Sequence, residues 1–300
     1  MISNNSTYSL QINAGTTLPP ALEAWKIYLR DQERSKHTIT SFSGDLQLLV
    51  NFLPTDKNLG DITTNELNNF LEWVKTGRDQ GIACSPKSYA RRITSIKSFF
   101  RWLFKFHTIA TNPAEKILQH SVISPLPEIL TPDEMELSLQ TARKFATGSL
   151  PDSRPYTLLK LLLDTGIKKN ECISLNINHI ENDQKNPFVF IRYPNPRDRN
   201  KERKIRISSE WLNFYETYCQ QYKISDLVFP WSARRLEYLL EDISREAGMS
   251  KHLSFSMCRW TCAITDYRSG MELERIRQKL GVSKIQWREL KMKLEQLANY

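Results

Sequence analysis

Apolar residues recur at helical spacing over most of the chain, and alternate at strand spacing in only one short region. The first helical stretch, LPPALEAWKIYLRDQE, starts on a proline pair and sets Leu22, Trp25, Ile27 and Leu29 on or near one side. TITSFSGDLQLLVNFL continues the pattern. TTNELNNFLEWVKTG follows, opened by Thr63 with Glu66 at capping-box spacing. A fourth helix begins at Ser85-Pro86, with proline in its favoured first turn. SVISPLPEILTPDEM then carries three prolines in a short span, which marks a linker over 121–131. Helical spacing resumes at Pro132 and is broken by PFVFIRY and RKIRI, a β-like pair around the polar turn PNPRDRNKE. From Trp211 onward the pattern is helical again. These elements predict a mainly α chain with a small antiparallel β-element, hence α+β. The expected organisation is a loose tail over 1–17, a helical domain over 18–120, the linker, and a second domain over 132–300.

Composition narrows the class. No run of about 18 apolar residues occurs, and the N-terminus lacks the basic start and apolar core of a signal peptide, so a soluble, cytoplasmic protein is expected. The five cysteines are scattered without a CxxC pair. Cys258 and Cys262, four apart on a predicted helix, have no histidine cluster beside them, so reduced thiols and no metal site are expected. No cofactor-binding motif is present. Lys and Arg number 42 against 33 Asp and Glu, a net charge of +9, which favours a polyanionic partner.

The arrangement of that charge is more telling than its sum. In SPKSYARRITSIKSFFRWLFK there are six basic residues and no acid between Ser85 and Lys105. At about 100° per residue, Lys87, Arg91, Lys97, Arg101 and Lys105 fall within an arc of roughly 120°. Tyr89, Ile93, Ile96, Phe99, Phe100, Leu103 and Phe104 fall opposite. Surface helices normally mix charge signs, so this one-sided cationic rail points to a phosphate backbone. A second cluster lies in the hairpin turn, where seven Lys or Arg between Arg192 and Arg206 face only Asp198 and Glu202.

The N-terminal half, ending in SYARRITSIKSFFRWLFKFHTIATNPAEKI, resembles the SAM-like core-binding domain of the tyrosine recombinases, the phage integrase and Xer-like family. The motifs ILTPDEME, LLLDTGIKKNECISLNINHI, the hairpin, LVFPWSARRLEYLLEDISREAGMS, LSFSMCRWTCAITDYRSG and IRQKLGVSKIQ resemble its catalytic domain in order. The resemblance implies a C-shaped clamp around a DNA duplex. In active relatives a tyrosine attacks the scissile phosphate, two arginines hold its oxygens, a hairpin lysine protonates the leaving oxygen and two histidines assist. Charge developing on the phosphate needs preorganised donors, and the leaving alkoxide needs an acid.

Several of those positions hold different residues here. The first arginine position is Lys168, which keeps the charge but not the planar fork. The hairpin lysine is Lys201 or Lys204, with Asp198 where one common register expects it. The His-x-x-Arg arginine survives as Arg259, but its histidine is Ser256; the later histidine is Val282. The nucleophile position is Lys291, and the one tyrosine beyond Tyr267 is the terminal Tyr300. The implied DNA-contacting set is the rail together with Lys168, Lys169, Arg197, Arg199, Lys201, Arg203, Arg234, Arg235 and Arg259. The expectation is a duplex DNA-binding protein without intact catalytic residues, an accessory or regulatory factor in recombination or integration. Its expected partners are double-stranded DNA and an active recombinase or a second copy of itself, with no membrane. Two other readings are open: an active recombinase using Tyr300, and a protein-interaction scaffold that has lost DNA.

Overall fold

The computed structural model describes residues 12–78, 81, 83–119, 125–147, 150–183 and 186–299; the expected tail before residue 12, linker residues 121–124 and Tyr300 lie outside the described residues. The chain divides into two compact units, Met1–Ser124 and Pro125–Tyr300.

The first unit is built from α1 (Leu18–Asp31), α2 (Lys36–Phe52), α3 (Thr64–Lys75) and α4 (Pro86–Lys105). Each start is specified locally. Ser35 caps α2 by accepting from the Thr38 N–H at 3.1 Å, Thr63 and Glu66 close a capping box on α3, and Ser85 caps α4 ahead of Pro86. The apolar faces meet in one core around Trp25, which stacks on Phe42 at 6.0 Å and meets Phe99 edge-on at 5.3 Å. One buried charge crosses this core's edge. Asp45 of α2 accepts from Ser95 Oγ at 2.8 Å and pairs with Arg91 Nη2 at 2.9 Å, both from α4. It fixes α2 against α4, because a buried carboxylate is tolerated only with its partners in place.

In the second unit, α5 (Pro132–Phe145), α8 (Ser209–Tyr222), α9 (Ala233–Glu246) and α10 (Phe255–Arg268) all pack on α6 (Arg154–Thr165). Leu158, Leu159, Leu161 and Leu162 of α6 are buried on several sides, as expected of a central helix. Trp211 Nε1 of α8 donates to the Thr157 carbonyl at 2.8 Å, satisfying a buried indole. After α6 come the short α7 (Lys169–Ile173) and an antiparallel sheet ordered β1 (Ile180–Glu181), β2 (Phe188–Ile191), β3 (Arg203–Arg206). The expected strand pair is β2–β3, with Val189 opposite Ile205. The third strand, β1, has two residues, too short for an alternation to show. The turn between β2 and β3 is a 3₁₀ helix, Pro196–Lys201.

A separate small cluster joins α10 to α11 (Leu273–Lys279) and α12 (Lys284–Ala298), with Ile264, Ile276, Leu280 and Leu294 buried and Trp260, Tyr267 and Trp287 at its edge. Thus α12 packs on its own unit through Leu294 and Leu297. Ile285, in the first turn of α12, is 81% exposed. Among the described residues no helix is long and apolar enough to cross a membrane.

Gly166 ends α6 in the left-handed region, at φ +59°, and a Cβ there would stand 3.0 Å from Leu280 Cδ2 and 3.2 Å from Cys262 Sγ. Gly248 shares the conformation, at φ +66°, but faces open space. Gly248→Ala should therefore cost only the backbone strain, about 1–2 kcal/mol. Gly166→Ala should cost more, by the repacking of Leu280 and Cys262; urea unfolding midpoints of the two variants would show the difference.

Candidate nucleic-acid interface and phosphate site

The site in the second unit is organised around a buried carboxylate. Glu171 of α7, 2% exposed in its side chain, accepts from Arg203 Nη1 at 3.0 Å and Nη2 at 2.8 Å. It also accepts from the Lys168 backbone N–H at 2.8 Å and from the Tyr193 hydroxyl. Burial alone would raise its pKa, but the Arg203 hydrogen bonds and charge, with the Lys168 N–H and Tyr193, bring it down to about 2. Arg203 continues the network, its Nε donating to the Lys279 carbonyl at 2.5 Å. Expected at DNA, Arg203 is instead 8% exposed and occupied by Glu171. The reason lies in strand parity: in β3 and its extension Arg203 shares the inward face with Ile205 and Ile207, while Lys204 and Arg206 point out.

Two cations meet at the turn after α11. Lys168 Nζ donates to the Gly281 carbonyl at 2.9 Å. Arg259, from α10, donates through Nη2 to the Leu280 carbonyl at 2.7 Å and through Nη1 to the Gly166 carbonyl. Burial, working against the Glu171 carboxylate, pushes the Arg259 guanidinium down to about 10, so it stays charged at neutral pH. Burial also lowers Lys168, partly offset by Glu171 and reinforced by Arg259, Arg203 and Lys201. Each cation is therefore partly spent on backbone carbonyls.

The hairpin alternatives separate. Lys201 lines a cavity of about 460 Å³ with Arg203, Arg277, Val282, Ser283 and Lys284. Its Nζ lies 2.5 Å from Asp198, the residue at the other candidate register. Lys204 instead lies on the outer face of the sheet, 4.4 Å over the Phe188 ring. Ser256 is exposed on the first turn of α10, and Val282 is 8% exposed in the α10–α12 cluster. Lys291 sits on α12 with Glu295 at 3.6 Å. Arg197 and Arg199 are exposed on the 3₁₀ turn, and Arg234 and Arg235 on α9, where Lys169 pairs with Glu237 at 2.8 Å. The arrangement can hold an anion with ammonium groups and a guanidinium. Around the 280–282 turn the described residues supply no imidazole.

In the first unit the rail is uneven. Lys87, Arg101 and Lys105 are exposed, and Lys97 is half-buried, with its Nζ 3.4 Å from the Glu115 carbonyl. Arg91 departs from the expected phosphate role, because it is held by Asp45 and by the Ser41 carbonyl at 3.1 Å. Phe104, expected on the core side, is 46% exposed, since it sits at the boundary of the two faces. Sequence reasoning did not find Arg34, which lies between α1 and α2 and faces the rail across a groove. Nothing local marks it; only the packing of α1 and α2 on α4 brings it there.

The buried pair sets a pH response. The Glu171 pKa is depressed from 4.5 to about 2, so its contribution is present above the unfolded value and is lost as pH falls from about 4.5 towards 2. That contribution is about 3 kcal/mol. Glu171→Gln should cost about 3–5 kcal/mol at neutral pH by stranding Arg203. It should also flatten the acid limb of stability in urea titrations, whereas an unchanged acid limb would contradict the assignment.

Residues 22–106 match the profile of the phage integrase N-terminal SAM-like domain, and residues 128–287 that of the phage integrase family. Tyrosine recombinase XerD of Listeria innocua is 25% identical over 82% of this chain and 84% of its own length. Tyrosine recombinase XerC of Lacticaseibacillus casei is 23% identical over 87% and 89%. In fold, the chain is similar to XerH site-specific recombinase in a post-cleavage complex with palindromic difH substrate, with TM-score 0.72 and 18% identity over 93% of this chain and 82% of that one. It is also similar to a lambda integrase dimer bound to a COC′ core site, with TM-score 0.70 and 16% identity over 91% and 77%. With a SAM-like helical domain matched in its first unit and the integrase domain matched over more than half of its length, this chain belongs to the phage integrase family of tyrosine recombinases.

Proposed function

We propose that the chain binds duplex DNA, holds a backbone phosphate at the Lys168–Lys201–Arg259 site, and does not cut it. It would then serve in the cytoplasm as an accessory or regulatory factor in recombination or integration, acting beside an active recombinase or a second copy of itself. The observation that carries this reading is the composition of the turn site. The phosphate-holding positions keep positive charge in Lys168 and Arg259, while the positions of the two histidines and of the nucleophile hold Ser256, Val282 and Lys291. A protonated ammonium at Lys291 has no lone pair with which to attack phosphorus, and valine can neither donate nor accept a proton. Relatives named XerD and XerC tyrosine recombinases, and fold neighbours described in complex with DNA, support DNA as the ligand.

Binding by fluorescence anisotropy across a salt series tests the ligand. Affinity should fall with a log–log slope of about −0.9 per neutralised phosphate. Arg101→Ala with Lys105→Ala should weaken binding on every duplex sequence alike and make that slope shallower by about 2. A slope that does not change would remove the rail from the interface.

A further inference from the structure

One groove of the first unit has a lining that duplex phosphates alone do not explain. It lies between the end of α1, the start of α2 and the polar side of α4, and encloses about 560 Å³. Arg34, Lys97, Arg101 and Lys105 line it, and no carboxylate is among its lining residues. The same groove is lined by two half-buried rings, Tyr28 and Trp102, with centroids 5.7 Å apart and planes inclined by 30°. Phe106, 57% exposed, stands beside both at 5.7 and 6.3 Å.

Cations and rings make different demands on a ligand. A paired duplex offers phosphates to the cations but keeps its base faces stacked inside, where a ring gains nothing. An unpaired nucleotide offers a phosphate and a free π-face together, and sites for single strands combine a cationic groove with aromatic platforms for that reason. The volume lies in the range of ordinary small-ligand pockets, roughly 300–1,000 Å³. We infer that this groove takes an unpaired nucleotide of single-stranded or locally opened DNA, with its base against Tyr28 and Trp102 and its phosphates on Arg34, Arg101 and Lys105. The inference rests on the reading of the chain as a DNA-binding protein and adds the strand state that it recognises. Trp102 is a dual-purpose residue here: one edge packs towards Phe99 at 5.8 Å while the ring also lines the groove.

The test uses the full chain, a fluorescein-labelled oligothymidylate, the corresponding duplex, and a single strand carrying 2-aminopurine. The single strand should bind, and 2-aminopurine fluorescence should be quenched by ring stacking. Trp102→Leu, which keeps apolar bulk, should weaken single-strand binding by about 5- to 150-fold, the span of one lost base stack. Trp102→Phe should restore it, and duplex affinity should be unchanged in both. Tyr28→Leu carries the same test if the Trp102 variant melts early by circular dichroism. Duplex binding without single-strand binding, or single-strand binding that ignores both rings and leaves 2-aminopurine bright, overturns the inference while the duplex reading stands. Ring-dependent single-strand binding with no duplex binding supports the groove and removes the duplex reading.

Discussion

The buried ion pair between Glu171 and Arg203 is the constraint on which the second unit's site depends. It ties α7 to β3, reaches α11 through the Lys279 carbonyl, and collects the Tyr193 hydroxyl and the Lys168 backbone on one carboxylate. A charge pair this deep repays its desolvation only when each oxygen and each N–H finds a partner. That requirement positions the start of α7, and with it the Lys168 side chain against Gly281. Gly281 itself must lack a side chain, because a Cβ there would stand 2.5 Å from Arg203 Nη1. The pair, the glycine turn and the clamp positions are one mechanical unit.

The same economy divides the chain's many cations into two kinds. Arg91, Arg203 and Arg259 are engaged within the protein and hold, respectively, a buried aspartate, a buried glutamate and two helix-end carbonyls. Guanidinium suits that work because its planar fork satisfies two acceptors at once. Lys87, Arg101, Lys105 and Arg34 face solvent and are available to phosphates. Net charge overstates the binding surface for this reason, and a count of basic residues does not separate the two kinds. Arg259 is the instructive case. It carries charge beside Lys168, yet its two terminal nitrogens already hold the carbonyls of Gly166 and Leu280.

Much of the fold was legible in the sequence wherever the signal was local. The caps at Ser85-Pro86 and Thr63–Glu66, the apolar stripe of α4 and the strand pair around Val189 and Ile205 all follow from spacing and turn chemistry. What lay beyond reach depended on partners distant in the chain. Asp45 and Arg91 meet only because α2 packs on α4, so a rail read on one helix could not show that one of its members was already engaged. Arg34 joins the groove by the same packing. The inward turn of Arg203 was within reach: its alternation with Ile205 and Ile207 assigns it to the buried face, and charge alone obscured that. At the candidate site, Lys168 and Arg259 were singled out from motif order. Their carbonyl partners were not, since Gly166, Leu280 and Gly281 carry no polar side chain to announce the role.

On the reading proposed above, this chain grips DNA without joining to it. A nicked duplex from which the cleaved fragment diffuses away traps any covalent intermediate, so it is the most direct measurement, read on a denaturing gel beside a native band shift of the same sample. A salt-sensitive shift with no detergent-resistant protein–DNA adduct is expected of a chain that binds without cutting. An adduct would contradict it, and peptide mapping of the linked residue would then identify the group that attacks the phosphate.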